Sequence, residues 1–181
     1  MENLVEIIGV PGTGKTYYLS KIANSEATYI DFGSRLKQWL KGSGKQYNGP
    51  IPPNKYIKEF IETIPSQNTP TIITSHIVHY KNGTFFHDLD CERYAKASAY
   101  IFIYSEPKDI LSRIEENNKK RIRKRDICSI EEIERHQELS LDVTQKLSQE
   151  LGSRLLILNN HYGEEEKNIL QIRKLLGELR K

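Results

Sequence analysis

Gly9-Val10-Pro11-Gly12-Thr13-Gly14-Lys15-Thr16 is the stretch on which the fold turns. It fills every fixed position of the phosphate-binding pattern G-x-x-x-x-G-K-[ST]. Upstream, Leu4-Val5-Glu6-Ile7-Ile8 reads as a short buried strand, and downstream Lys15 to Ala23 is compatible with a helix. Strand, glycine-rich loop and helix are the context that the motif requires. Gly9, Gly12 and Gly14, with Thr13 among them, let backbone amides approach phosphate closely and point inward. The helix that follows presents the positive end of its dipole to an anion. Lys15 can reach the outer phosphates of ATP, and the Thr16 hydroxyl can ligate Mg2+ bound with the nucleotide. The competing reading is a chance glycine-rich turn between strand and helix.

Composition bounds what surrounds this loop. A chain of 181 residues suits one domain with a small mobile insert. Charged residues at 28% describe a well-solvated surface, and 37% hydrophobic residues still supply a core. A net charge of +3 is too small to argue for nucleic acid by itself. Cys91 and Cys128 match no metal spacing and read as two reduced thiols of a cytoplasmic protein. The N-terminus carries no signal-peptide pattern, and no stretch approaches membrane-spanning length. Whether the chain forms a homo-oligomer is open at this level.

Ala27-Thr28-Tyr29-Ile30 reads as a second strand ending at Asp31, and Ser34 as the cap of a helix through Leu36, Trp39 and Leu40. Ligands of open parallel sheets sit beyond the carboxyl ends of the strands, so Asp31 is expected beside the phosphate loop. It reads equally well as a capping carboxylate. Glycines and prolines between 41 and 53 mark a surface loop, and Asn54 to Ile64 a helix with a core-facing stripe. Thr71 to Ser75 is a β-branched central strand ending at His76, and Lys81-Asn82-Gly83 is a turn. The spacing of His76, His79 and His87 fits no standard metal pair. Ala99 to Tyr104 is the strongest strand signal, and Lys108 to Glu116 reads as a helix begun near Pro107. Ile130 to Gly152 is a long helix, Leu155 to Leu158 a last strand, and Glu164 to Lys181 a closing helix. Strands alternating with helices predict a three-layer α/β fold, a five-stranded parallel sheet flanked by helices.

Lys119 to Asp126 is the densest basic run. It reads as a solvated surface, as a nucleic-acid patch, or as a lid whose arginines close over a nucleotide's phosphates. The phosphate loop adds weight to the third, because a transferring phosphoryl group needs cations near its equatorial oxygens.

Several pieces together resemble the archaeal-type adenylate kinases, a branch of the P-loop nucleoside monophosphate kinases. They are residues 9 to 16, Phe32-Gly33-Ser34, Lys81-Asn82-Gly83, and Arg123-Lys124-Arg125-Asp126 followed by His136-Gln137. The resemblance implies a single kinase domain over 1–181, with an acceptor-side helical region at about 33–70 and a lid at about 119–129. It implies that Lys15, Arg123 and Arg125 are catalytic, and that Lys15 and Thr16 bind the donor phosphates and Mg2+. Asp31, Phe32, Gly33, Ser34 and His76 would lie near the acceptor. The expected reaction moves the γ-phosphoryl of ATP onto a nucleoside monophosphate, AMP first. The chain departs from the family at Thr74-Ser75-His76, where the family has D-T-H, at Leu141, where it has an arginine, and at Asp31, where it has asparagine. Two alternatives stand beside this: a kinase of another small-molecule hydroxyl with Asp31 as base, and a non-catalytic NTP-binding protein. Nucleic acid and membrane are not expected partners.

Overall fold

The computed structural model describes residues 3–22, 27–47, 52–64, 69–87, 96–120 and 129–180. In chain order the elements are β1 (Leu4–Ile8), α1 (Lys15–Ile22), β2 (Thr28–Asp31), α2 (Phe32–Gly42), α3 (Asn54–Glu62) and β3 (Thr71–Ser75). They continue with β4 (Val78–Lys81), β5 (Thr84–His87), β6 (Ala99–Tyr104), α4 (Pro107–Lys119), α5 (Ile130–Leu151), β7 (Arg154–Asn159) and α6 (Glu165–Leu179). Five strands form one parallel sheet in the order β2-β3-β1-β6-β7. Central β1 is buried along its whole length, which explains its near-continuous apolar run.

Alternation of side chains divides the core between the two faces of the sheet. On one face Leu4, Ile8, Ile73, Tyr100 and Phe102 pack against α2, α3 and α5 through Leu36, Leu40, Phe60, Val143 and Leu147. On the other, Val5, Ile7, Ile72, Ile101 and Ile103 pack against α1 and α6 through Leu19, Ile22, Ile172 and Leu176. A smaller cluster of Val10, Ile110, Ile114 and Ile133 seats the loop after β1 on α4 and α5.

Local chemistry explains most element ends. Asn82 and Gly83, at φ 51° and 77°, form a two-residue turn that pairs β4 with β5 as an antiparallel hairpin. This hairpin lies outside the main sheet. Ser129 and Glu132 form a capping box at the start of α5, and Gly152 ends that helix in the left-handed conformation. Pro107 starts α4. The cap of α2 is Asp31, three residues before the expected Ser34: its Oδ1 accepts from Ser34 N at 3.0 Å and its Oδ2 from Ser34 Oγ at 2.8 Å. The helix therefore begins as soon as β2 ends. Among the described residues, no helix is long and apolar enough to cross a membrane.

Candidate active site

The loop between β1 and α1 is built from residues that only its shape explains. Gly12 and Gly14 have φ of +93° and +92°, which side chains disfavour. A Cβ on Gly9 would stand 2.8 Å from Ile103 O, so the loop passes too close to β6 for any larger residue. Thr13 is wholly buried and its Oγ1 donates to Val10 O at 3.0 Å, closing the loop on itself. Gly14 O accepts the first helical bond, from Tyr17 N at 2.9 Å. Thr16 is exposed at the start of α1.

Lys15 folds back over the loop. Its Nζ donates to Gly9 O and, at 3.1 Å, to Val10 O. His76, just past β3, places Nδ1 2.9 Å from Gly9 O and 3.4 Å from Lys15 Nζ. A carbonyl only accepts, so Nδ1 carries the proton in that contact. Two donors from different elements thus converge on one loop carbonyl.

Two further residues that the sequence reading did not single out hold the loop, and a third supports them through Tyr18. Arg113, on α4, donates from Nη1 to Gly12 O at 2.8 Å. Asn160, just past β7, donates from Nδ2 to Thr13 O at 2.8 Å and accepts from Tyr18 OH on Oδ1 at 2.8 Å. Asn168, on α6, donates to Tyr18 OH at 2.9 Å. Burial pushes the Tyr18 phenol above its ordinary pKa, against the opposing pull of the Asn168 hydrogen bond, so Tyr18 stays a donor. Asn160 is 147 positions from Thr13, and no sequence spacing announces any of these residues. For Glu6 there was a signal, namely one carboxylate inside an otherwise apolar run. It is wholly buried, and Oε1 accepts from Ser75 Oγ.

The strand order changes where Asp31 stands. β3 lies between β2 and β1, so Asp31 is paired with Thr74 and is one strand farther from the loop than an adjacent β2 would put it. Asp31, Gly33 and Ser34 lie together and exposed at the start of α2, while the Phe32 ring packs on Phe60 with centroids 5.2 Å apart. At the end of β3, Thr74 Oγ1 is 3.3 Å from Tyr29 OH. Hydroxyls therefore occupy the position where the resembling family has a carboxylate. Lys81-Asn82-Gly83 forms the exposed tip of the hairpin. No group of three His, Cys, Asp or Glu side chains suited to a metal occurs among the described residues. Arg123 and Arg125 lie outside the described residues.

His136 and Gln137 are buried and structural. His136 Nε2 lies 2.8 Å from Val78 O, tying α5 to the hairpin. Gln137 accepts from Ser105 N at 3.1 Å and donates to Ser105 O at 3.0 Å, clamping the end of β6. The arrangement as a whole can cradle an anion: a glycine-rich loop, a helix N-terminus, and cations from α1 and α4 at one edge of the sheet.

Comparison with known proteins agrees with this reading of the loop. Residues 8–134, more than half of the chain, match the family described as the AAA domain. No curated protein matches the sequence. Among solved structures, the fold is similar to that of APE1195 (14% identity, 100% of this chain and 99% of that one, TM-score 0.56). It is also similar to shikimate kinase from Bacteroides thetaiotaomicron (14% identity, 96% and 98%, TM-score 0.53). A third likeness is to a gluconokinase from Sinorhizobium meliloti 1021 (12% identity, 98% and 95%, TM-score 0.55). At such identities the likeness is one of fold.

Proposed function

The chain belongs to the AAA-domain family, and from that membership we propose that it is an ATP-dependent small-molecule kinase. The observation that carries this reading is the phosphate loop itself, complete in sequence and held in shape by Thr13, Arg113 and Asn160. The loop amides and Lys15 would bind the donor phosphates, Lys15 turning from the loop carbonyls to the phosphate oxygens. Thr16 would hold Mg2+ together with the nucleotide. The metal would neutralise the charge that builds up on the transferring group. At the end of β3, in register with Ile7 of β1, Thr74 offers a neutral hydroxyl 3.3 Å from Tyr29 OH, so further oxygen ligands to the metal would come from the nucleotide phosphates and water.

The resemblance supports a nucleoside monophosphate, AMP first, as acceptor. Asp31, Phe32, Gly33, Ser34 and His76 would then border it, and Arg123 and Arg125 would close over the phosphates. A second reading, a small-molecule alcohol as acceptor, is favoured by the pairing of buried Glu6 with the half-buried Ser75 hydroxyl. The names of two structural neighbours, a shikimate kinase and a gluconokinase, agree with that class of acceptor. ATP turnover by the purified chain, measured against AMP, other nucleoside monophosphates, shikimate and gluconate, tests the proposal. A chain that binds ATP and transfers phosphate to none of them would favour a non-catalytic NTP-binding role.

A further inference from the structure

We propose that Glu6, acting through Ser75, positions the acceptor and takes up its proton, so that the acceptor of this chain is an alcohol. The proposal rests on the kinase reading and names the acceptor class of that same site.

Glu6 sits in the middle of β1, the central strand, with no exposed surface. A carboxyl so placed is unfavourable without hydrogen bonds, and breaches of local patterning concentrate at functional sites. Its Oε1 accepts from Ser75 Oγ. Ser75 ends β3, is half-buried, and is in register with Ile8, the residue before the phosphate loop. The hydroxyl therefore stands at the edge of the sheet where the loop begins.

The two faces of the sheet separate this pair from the donor side. Glu6 alternates with Leu4 and Ile8 and is in register with Ile73 and Tyr100, all on the face covered by α2, α3 and α5. Lys15 and Thr16 begin α1, which covers the opposite face. Thr74 and Tyr29 lie toward that opposite face as well. Glu6 and Ser75 thus serve what approaches from the α2–α3 side. Asp31, at the start of α2, already has both oxygens engaged by Ser34.

Ser75 has one hydroxyl proton and donates it to Glu6, which leaves its oxygen as an acceptor. A partner meeting that oxygen must bring a proton of its own. An alcohol does, and a fully ionised phosphate does not. In the step, the alcohol oxygen forms a bond to the γ-phosphorus, and the bond from that phosphorus to the β–γ bridging oxygen breaks. ADP leaves with the electron pair. The alcohol proton passes to Ser75 Oγ while the Ser75 proton passes to Glu6 Oε1, so Ser75 is regenerated and Glu6 is left protonated.

The test uses the full chain with ATP and Mg2+, with shikimate, gluconate and AMP as acceptors, and with water as acceptor in slow ATP hydrolysis. Glu6→Gln keeps the shape of the side chain but lowers its ability to take a proton. Ser75→Ala removes the relay at a half-buried position, and Ser75→Thr keeps a hydroxyl. The expected result is a fall in kcat for alcohol or water of about 10²–10⁴-fold in Glu6→Gln and Ser75→Ala. The KM for ATP stays unchanged, and Ser75→Thr keeps most of the rate. A purely structural role would instead lower the melting temperature and leave the kcat of the folded fraction intact. If Glu6→Gln does not fold, Ser75→Ala and Ser75→Thr decide alone. Turnover confined to AMP, wild-type kcat in both deletion variants, or a Ser75→Thr protein as impaired as Ser75→Ala would overturn the proposal. ATP binding is titrated separately without acceptor. A wild-type chain that binds no ATP fails the kinase reading itself, distinguishably from any acceptor result.

Discussion

Lys15 and Asp31 were singled out from the same sequence, yet the fold treats them differently. Lys15 lies at a helix start, and its ammonium contacts loop carbonyls and the His76 ring. Lys15→Ala therefore removes little core packing. We expect it to abolish ATP turnover and weaken ATP binding while the melting temperature stays close to wild type. Unchanged turnover in pure mutant protein would reject the loop assignment. Asp31 is a helix cap, with both carboxylate oxygens on Ser34. Asparagine also caps well and alanine does not. Asp31→Ala should destabilise the protein by about 0.5–2 kcal/mol in chemical denaturation, and Asp31→Asn by far less. Asp31→Asn should also turn over ATP at close to the wild-type rate. A higher Mg2+ requirement in that variant, relieved at saturating metal, would instead assign Asp31 to metal support.

At the scale of elements, the β4–β5 hairpin is the part whose role the sequence hid. The Asn82-Gly83 turn was legible, but the partner of the hairpin was not. It docks on α5: Tyr80 OH donates to Glu132 Oε1, His136 lies on Val78 O, and the Phe85 ring is 5.3 Å from that of His136. His79 belongs to this hairpin, and burial holds its imidazole below the ordinary pKa. The folded state thus binds a proton on His79 less readily than the unfolded chain does. Its contribution to stability is complete above the ordinary imidazole value of about 6.5 and is lost as pH falls through the lower folded value. Melting temperatures measured from pH 7.5 down to 5 should fall less steeply in His79→Gln than in wild type. Parallel curves would show that His79 does not govern the acid limb.

Across the whole molecule, the parallel sheet gathers the ends of β1, β2, β3, β6 and β7 at one edge, and contributions from distant parts of the chain meet there. Arg113 and Asn160 secure the loop, while the basic run 119–126 is the segment the resemblance makes a lid. We expect Arg123→Ala and Arg125→Ala to lower turnover far more than ATP affinity, because such cations act on the transferring group. One arginine in that role is worth about 10³–10⁵ in rate. Mutants that turn over like wild type would make the run a solvated surface, and mutants that lose RNA or DNA binding would make it a nucleic-acid patch.

The sequence by itself determined the phosphate loop, the five parallel strands, the alternation with helices and most element ends. All of these follow from local patterns: filled glycine positions, β-branched runs, 3.6-residue stripes and caps within a few residues. The tertiary structure decided what depends on strand order and on contacts between distant residues. It placed β3 between β2 and β1 and so moved Asp31 away from the loop. It brought Arg113 to Gly12 O and Asn160 to Thr13 O. It also set Ser75 on Glu6, across 69 residues of sequence. Local sequence encodes which face a residue presents, but the neighbour on that face is set by how the elements pack together.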